Sequence, residues 1–126
     1  MRLEQLYAPL AADMNAVNGV IRAHLHSDIV LIRQVAEYII GAGGKRMRPA
    51  LLLFVANALG YRGTQHHELA AVVEFIHTAT LLHDDVVDES DLRRGRDTAN
   101  ALFGNSAAVL VGDFLFSRAF ELMVDD

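Results

Sequence analysis

The chain has 126 residues, 52% of them hydrophobic, with two prolines and no cysteine, so it can bury the core of one domain and is too apolar to be disordered. The absence of cysteine excludes disulfide scaffolds, thiolate zinc sites and cysteine nucleophiles, and agrees with a reducing compartment. Sixteen acids against eleven Lys and Arg leave a formal charge of −5, which argues against nucleic acid as a partner and confines any basic site to a local cluster.

Apolar residues recur at helical spacing nearly throughout, and the breaks fall at Gly and capping residues, which predicts an all-α fold. No repeat or linker divides residues 1–126, so they read as one domain or part of one. A first amphipathic helix is expected over about Leu3 to Asn18. Arg2, Glu4 and Asp13 interrupt its apolar residues, so it is not a signal-peptide core. A second helix starts near Ser27 as N-cap and stops at Gly41. Pro49 suits the first turn of a third, running through Leu51, Leu52, Phe54 and Val55 to Gly60. That helix is apolar nearly all round, which places it in the middle of a protein.

Thr64 is placed to cap a long fourth helix, with a stripe through Leu69, Val72, Val73, Ile76 and Leu82 that runs into acids at Asp84. A charged loop is expected from Glu89 to Asp97 and a short turn near Ala99 to Phe103. Ser106 then caps a last apolar helix through Val109, Leu110, Phe114, Phe120 and Met123. The longest uncharged run, Thr98 to Gly112, contains Asn100, Gly104, Asn105 and Ser106 and is too short and too polar to span a bilayer. The expectation is a cytoplasmic protein. Nothing polar closes the fold at Asp126, so an N-terminal portion of a larger fold is expected.

The sequence His83-Asp84-Asp85-Val86-Val87-Asp88 sets carboxylates at i, i+1 and i+4 near the end of the fourth helix. Asp84 and Asp88 fall on one face, one turn apart. Like charges at that spacing repel, and acids near a helix C-terminus oppose the macrodipole. Such a breach of local rules marks function, and a divalent cation turns the repulsion into ligation. Mg²⁺ is the candidate, because it takes one or two carboxylates and completes its shell with water and phosphate oxygens. Asp84 and Asp88 are the candidate ligands. Asp85 is turned about 100° away and supports them from behind. A solvated acidic helix end is the competing reading.

Arg93, Arg94 and Arg96 follow in the next loop, and guanidinium forks suit phosphate. An arginine-rich loop is by itself ordinary surface; beside metal-binding acids it makes a diphosphate site. Gly41-Ala42-Gly43-Gly44-Lys45-Arg46-Met47-Arg48 forms a second basic cluster, where glycines allow close approach to an anion and a helix start offers N–H groups. It is not a P-loop, since Ile39 and Arg46 occupy positions that need Gly and Ser or Thr. A plain helix-to-helix turn is the alternative. His77, two turns before Asp84, points into the same cleft, although a lone helical His is more often a core residue.

Gly43-Gly44-Lys45-Arg46-Met47-Arg48-Pro49, Glu74-Phe75-Ile76-His77, Leu81 through Asp88, and Leu92-Arg93-Arg94-Gly95 occur in the order and spacing of the trans-isoprenyl diphosphate synthases. The chain resembles that family over most of its length, and Thr78 to Phe120 resembles its bacterial long-chain, octaprenyl-type branch of quinone biosynthesis. The resemblance implies an all-α isoprenoid synthase-type bundle around a deep cleft, and a transferase that condenses isopentenyl diphosphate with an allylic diphosphate such as farnesyl diphosphate. It implies that Asp84 and Asp88 hold Mg²⁺ and that Arg93 holds the allylic diphosphate, these three being the catalytic residues. Lys45, Arg48, His77 and Arg94 match the isopentenyl diphosphate residues. It also implies a homodimer and a long-chain product for the ubiquinone or menaquinone side chain.

Product length depends on what lines the tunnel below the aspartates. Ile76 and Thr80 share a face with Asp84. Ala79 matches a family length position, by resemblance only, and its small size favours long products. Phe120 and Met123 are candidates for the tunnel floor, with ordinary core packing as the other reading. The family carries a second aspartate-rich motif on a later helix, and none follows Asp113 here, so the 126-residue chain alone is expected to be inactive. A terpene cyclase is the enzyme-class rival, but it has no use for Lys45, Arg48 and His77 around a second diphosphate. A non-catalytic partner subunit of a heteromeric synthase and an inactive helical fragment are the remaining alternatives.

Overall fold

A computed structural model of the chain describes residues 5, 8–25, 30–41, 47–93 and 95–125. After a 3-10 turn at Ala8–Leu10, the helices are α1 (Ala11–His24), α2 (Val30–Gly41), α3 (Met47–Ala58), α4 (Gln65–Val87), α5 (Ala99–Phe103) and α6 (Asn105–Asp125). A two-residue-per-strand hairpin, β1 (Leu92–Arg93) and β2 (Arg96–Asp97), lies between α4 and α5. Among the described residues the fold is all-α apart from this hairpin.

The long helix α4 is the hub, packing against α6 most extensively and also against α3 and α1. Its buried stripe is Ala71, Phe75, Thr78, Ala79, Leu82 and Asp85, and α6 meets it with Ala108, Val111, Leu115, Ala119 and Leu122. Both follow the three-to-four-residue spacing that puts side chains on one helix face. Small residues at 71, 79, 108 and 119 let the two backbones close up around Phe75. At Gly112 a Cβ would stand 2.3 Å from Nε2 of His83, so the imidazole occupies the space that any larger residue there would need.

Several expected boundaries move. The first helix does not end at Asn18; it continues through Gly19 to His24, because Ile21 extends its buried face. Its expected start at Leu3, and Ser27 as a cap, lie outside the described residues. Pro49 does sit buried in the first turn of α3, and the chain leaves that helix through Gly60 at φ 78°. However, α3 is not enclosed on all sides, since Leu51 is 65% and Val55 51% exposed. An apolar residue reports a preference for burial, not what covers it. Thr64 occupies the N-cap of α4 but its side chain makes no capping hydrogen bond. Ser106 is not the cap of the last helix, which begins at Asn105 directly after Gly104 at φ 94°.

The charged loop is where expectation and structure differ most. Helix α4 ends on two hydrogen bonds, from the Glu89 N–H to the Val86 carbonyl at 3.2 Å and from the Ser90 N–H to the Asp85 carbonyl at 2.9 Å. With Glu89 at φ 55°, this is a Schellman ending that has glutamate where glycine is usual. It throws the chain back over the helix end. The hairpin then closes with Leu92 opposite Asp97 and Arg93 opposite Arg96, and Gly95 at φ 78° in its turn. Positive φ at the turn is what a tight hairpin requires and what glycine supplies without strain.

Candidate functional site

The hairpin exists in this position because several polar groups pin it. Thr98 donates its hydroxyl to the Ser90 carbonyl at 2.8 Å and accepts from the Ala101 N–H at 3.3 Å, capping α5. Asn100 donates to the same Ser90 carbonyl at 3.0 Å. On the other side, the Tyr38 hydroxyl of α2 donates to the Asp97 carbonyl at 2.7 Å, and the Arg96 guanidinium lies 5.0 Å from the centre of the Tyr38 ring. Tyr38 in turn meets Phe103 edge-on. Chain reversal, cap and aromatic contact together fix where Arg93 can reach.

Arg93 reaches Asp85. Its Nε donates to Oδ2 at 3.0 Å and Oδ1 at 3.2 Å, and its Nη2 donates to Oδ1 at 2.6 Å. This is the bidentate fork in which arginine matches a carboxylate. The carboxylate is buried, with its side chain 8% exposed, whereas Arg93 is 42% exposed. Asp85 is buried because it continues the stripe that includes Phe75 and Leu82, whereas Asp84 and Asp88, on the neighbouring face, are both exposed. The hydrogen bond to Asp85 raises the Arg93 pKa above its ordinary value, against the opposing effect of burial, and the charges of Asp85, Asp84 and Asp88 act in the same direction. The guanidinium is therefore permanently charged and sits within the field of all three acids.

Arg48, in the first turn of α3, and His77, on α4, also come together, with Arg48 Nη1 donating to His77 Nε2 at 3.2 Å. Arginine carries only donors, so His77 Nε2 is the acceptor in this contact. His77 lies seven residues before Asp84, roughly 10 Å along the helix. Two cationic side chains, Arg48 and Arg93, thus flank one face of α4 at different heights. Lys45 and Arg94 lie outside the described residues. Of the length candidates, Ile76 is half-buried and Thr80 is exposed, its hydroxyl donating to the Ile76 carbonyl at 2.8 Å. Ala79 is fully buried on the inward stripe, while Phe120 is 59% and Met123 38% exposed on α6.

Two exposed carboxylates one turn apart, with oxygen donors only, fit a hard divalent cation whose remaining positions go to phosphate and water. A third carboxylate in the same shell would be redundant, and Asp85 is engaged elsewhere. Residues that the spacing did not reveal are those that place Arg93: Tyr38, Ser90, Glu89, Thr98 and Asn100. Thr98 before Ala-Asn-Ala was a legible capping signal.

A family model described as "Polyprenyl synthetase" matches residues 29–125. Octaprenyl diphosphate synthase from Escherichia coli is 57% identical over 123 residues, covering 98% of this chain and 38% of that protein. Among solved structures, a decaprenyl diphosphate synthase from Rhodobacter capsulatus matches with a TM-score of 0.94 at 56% identity, covering 98% of this chain and 38% of that one. A polyprenyl synthase from Caulobacter crescentus, complexed with calcium and isoprenyl diphosphate, matches with a TM-score of 0.93 at 51% identity and the same two coverages. The helices therefore have the isoprenoid synthase arrangement, and the chain spans little more than a third of the length of these relatives. Among the described residues, no helix is long and apolar enough to cross a membrane.

Proposed function

The chain belongs to the polyprenyl synthetase family, and we propose that it supplies the diphosphate-activating half of a long-chain trans-prenyltransferase. In this reading the enzyme joins isopentenyl diphosphate to an allylic diphosphate such as farnesyl diphosphate and makes the all-trans side chain of a quinone. The observation that carries the proposal is Arg93, clamped by buried Asp85 beside exposed Asp84 and Asp88.

Asp84 and Asp88 are the groups that would hold Mg²⁺, which when bound neutralises the departing diphosphate. Arg93 uses Nε and Nη2 on Asp85, and Nη1 would serve as the donor to a diphosphate oxygen. That donor stabilises charge that grows as the allylic C–O bond breaks, which is where preorganised donors lower a barrier. The allylic carbocation is attacked by the isopentenyl double bond. A new C–C bond forms, one proton is lost from the adjacent carbon, and pyrophosphate leaves. Arg48, with Lys45 and Arg94, holds the diphosphate of the isopentenyl substrate. His77 keeps Arg48 aimed. Ile76, Ala79, Thr80 and Met123 are the proposed length positions. We assign the protein to the cytoplasm, as a homodimer, on the strength of its composition and its exposed apolar residues on α3 and α6.

Turnover requires the part of the relatives' length that this chain does not span. The test is a chimera in which residues 1–126 replace the matching first 38% of the Escherichia coli octaprenyl synthase. With farnesyl diphosphate, labelled isopentenyl diphosphate and Mg²⁺, the chimera should give long polyprenyl diphosphates, while its Asp84→Ala and Arg93→Ala variants should give almost none. Near-normal turnover by either variant, or a folded but inactive chimera, sinks the proposal.

A further inference from the structure

Far from the aspartates, at the opposite end of α4, three ligand-bearing side chains converge. Asp13, in the first turn of α1, faces His66 and His67, in the first turn of α4. His67 Nε2 stands 2.8 Å from Asp13 Oδ1, and His66 Nε2 stands 3.5 Å from the same oxygen. One ligand atom from each residue lies within 4.8 Å of the other two, a condition that this trio alone meets among the described residues. Asn57 of α3 donates to the other carboxylate oxygen, Oδ2, at 3.2 Å.

An Asp–His ion pair accounts for His67 but not for His66. His66 is 7% exposed, yet its Nδ1 has no hydrogen-bond partner, and its Nε2 is beyond the range of a good hydrogen bond to Asp13. A buried imidazole with neither nitrogen well satisfied is costly unless something else binds it. The two imidazole rings also lie close together, with centroids 4.0 Å apart, and both Nε2 atoms face the same carboxylate oxygen. A metal ion held by Nε2 of both neutral rings and by Oδ1 of Asp13 uses this convergence and gives His66 Nε2 the partner it lacks.

We propose that Asp13, His66 and His67 form a zinc-class metal site, with Nε2, Nε2 and Oδ1 as ligands and water completing the shell. Ligands 2.0–2.1 Å from a tetrahedral zinc stand roughly 3.3 Å apart, between the two separations observed. Two imidazoles and one carboxylate select zinc, cobalt or nickel over Mg²⁺, which prefers oxygen alone. Asn57 orients the carboxylate, as outer partners of metal ligands do. The seventeen residues from His67 to Asp84 put the site roughly 26 Å from the aspartates. It clips α1 to the start of α4, with α3 attached through Asn57, and is independent of the diphosphate chemistry.

The test uses metal-stripped protein without a polyhistidine tag. In excess Mg²⁺, Co²⁺ should bind at one equivalent with the visible bands of a low-coordinate site. His66→Gln, His67→Gln and Asp13→Asn should each weaken binding by at least about tenfold, while Asp84→Asn leaves it unchanged. Zinc-edge absorption spectroscopy of the wild type should read two imidazole ligands, a result that does not depend on any variant folding. No Co²⁺ bands, displacement of Co²⁺ by Mg²⁺, fewer than two imidazoles, or unchanged affinity in His67→Gln would each overturn the site.

Discussion

The pair Asp85–Arg93 makes an asymmetric prediction. Asp85 is 8% exposed and receives three short contacts, at 2.6, 3.0 and 3.2 Å, whereas Arg93 is 42% exposed. A fully buried pair loses about 3–5 kcal/mol when one partner is removed, because a charge is left stranded. Here only one partner can be stranded. Arg93→Ala leaves a carboxylate in the core without its cation and should cost about 2–3 kcal/mol, in the range of a hydrogen bond to a charged group. Asp85→Ala lets Arg93 swing into water, and with solvent already screening that end it should cost only about 1–2 kcal/mol. The double variant should cost less than the sum by about 1–2 kcal/mol, the coupling expected of contacting residues. Urea unfolding of all four proteins at neutral pH, followed by helical circular dichroism, reads each value. Additivity within about 0.5 kcal/mol, or a larger loss from Asp85→Ala than from Arg93→Ala, would refute the reasoning.

Glu89 holds φ at 55° in the ending of α4, so Glu89→Gly should raise stability by about 0.5–1 kcal/mol in the same unfolding assay. Gly112→Ala puts a Cβ 2.3 Å from His83 Nε2; in the His83→Ala background the clash vanishes, and the same change should stabilise α6 by up to about 1 kcal/mol through helix propensity. The two backgrounds should therefore give clearly different effects in a double-mutant cycle. In the metal-stripped protein, the hydrogen bond from His67 holds the Asp13 carboxyl below its ordinary 3.8, with Asn57 and the charges of both histidines acting alongside and burial opposing. A depressed folded pKa adds stability that is full above the unfolded value and is lost as pH falls through the folded one, so wild type should lose its advantage over Asp13→Asn below pH 3.8, read as urea midpoints across the acid range.

Periodicity made the helices legible, because a buried stripe on a helix must repeat every three or four residues, as Ala71, Phe75, Leu82 and Val111, Leu115, Leu122 do. The acids at 84, 85 and 88 were legible for the same geometric reason, including the turning of Asp85 away from the other two. The hairpin was not, since strands of two residues are too short to show alternation. Nor was the helix ending that directs it, because glutamate occupies the position where glycine would have announced a left-handed residue. Asp13 and His67 are 54 positions apart, and no local pattern joins them; only the packing of α1 against α4 does. The exposed face of α3 follows from the same limit, since the apolar character of Leu51 and Val55 says nothing about which neighbour meets them.

The adjacency of Asp84 and Asp85 solves a conflict that the proposed chemistry would otherwise create. Metal ligation and an arginine donor both need to sit at the diphosphate, yet a guanidinium placed beside two open carboxylates will pair with them and occupy the lone pairs that a cation needs. Adding a third acid one residue along the helix, about 100° around it, puts that acid on the buried stripe. There its oxygens are poorly solvated and take the arginine fork in preference. Arg93 is thus held close to Asp84 and Asp88 without being bound to either. The position of the third acid is what matters. An acid at Val86 instead would lie about 200° from Asp84, out of reach of this arrangement, and Arg93 would fall back onto the acids reserved for the metal. A protein carrying Asp85→Val together with Val86→Asp keeps composition and charge unchanged, and should bind divalent metal and diphosphate more weakly at the aspartates than wild type.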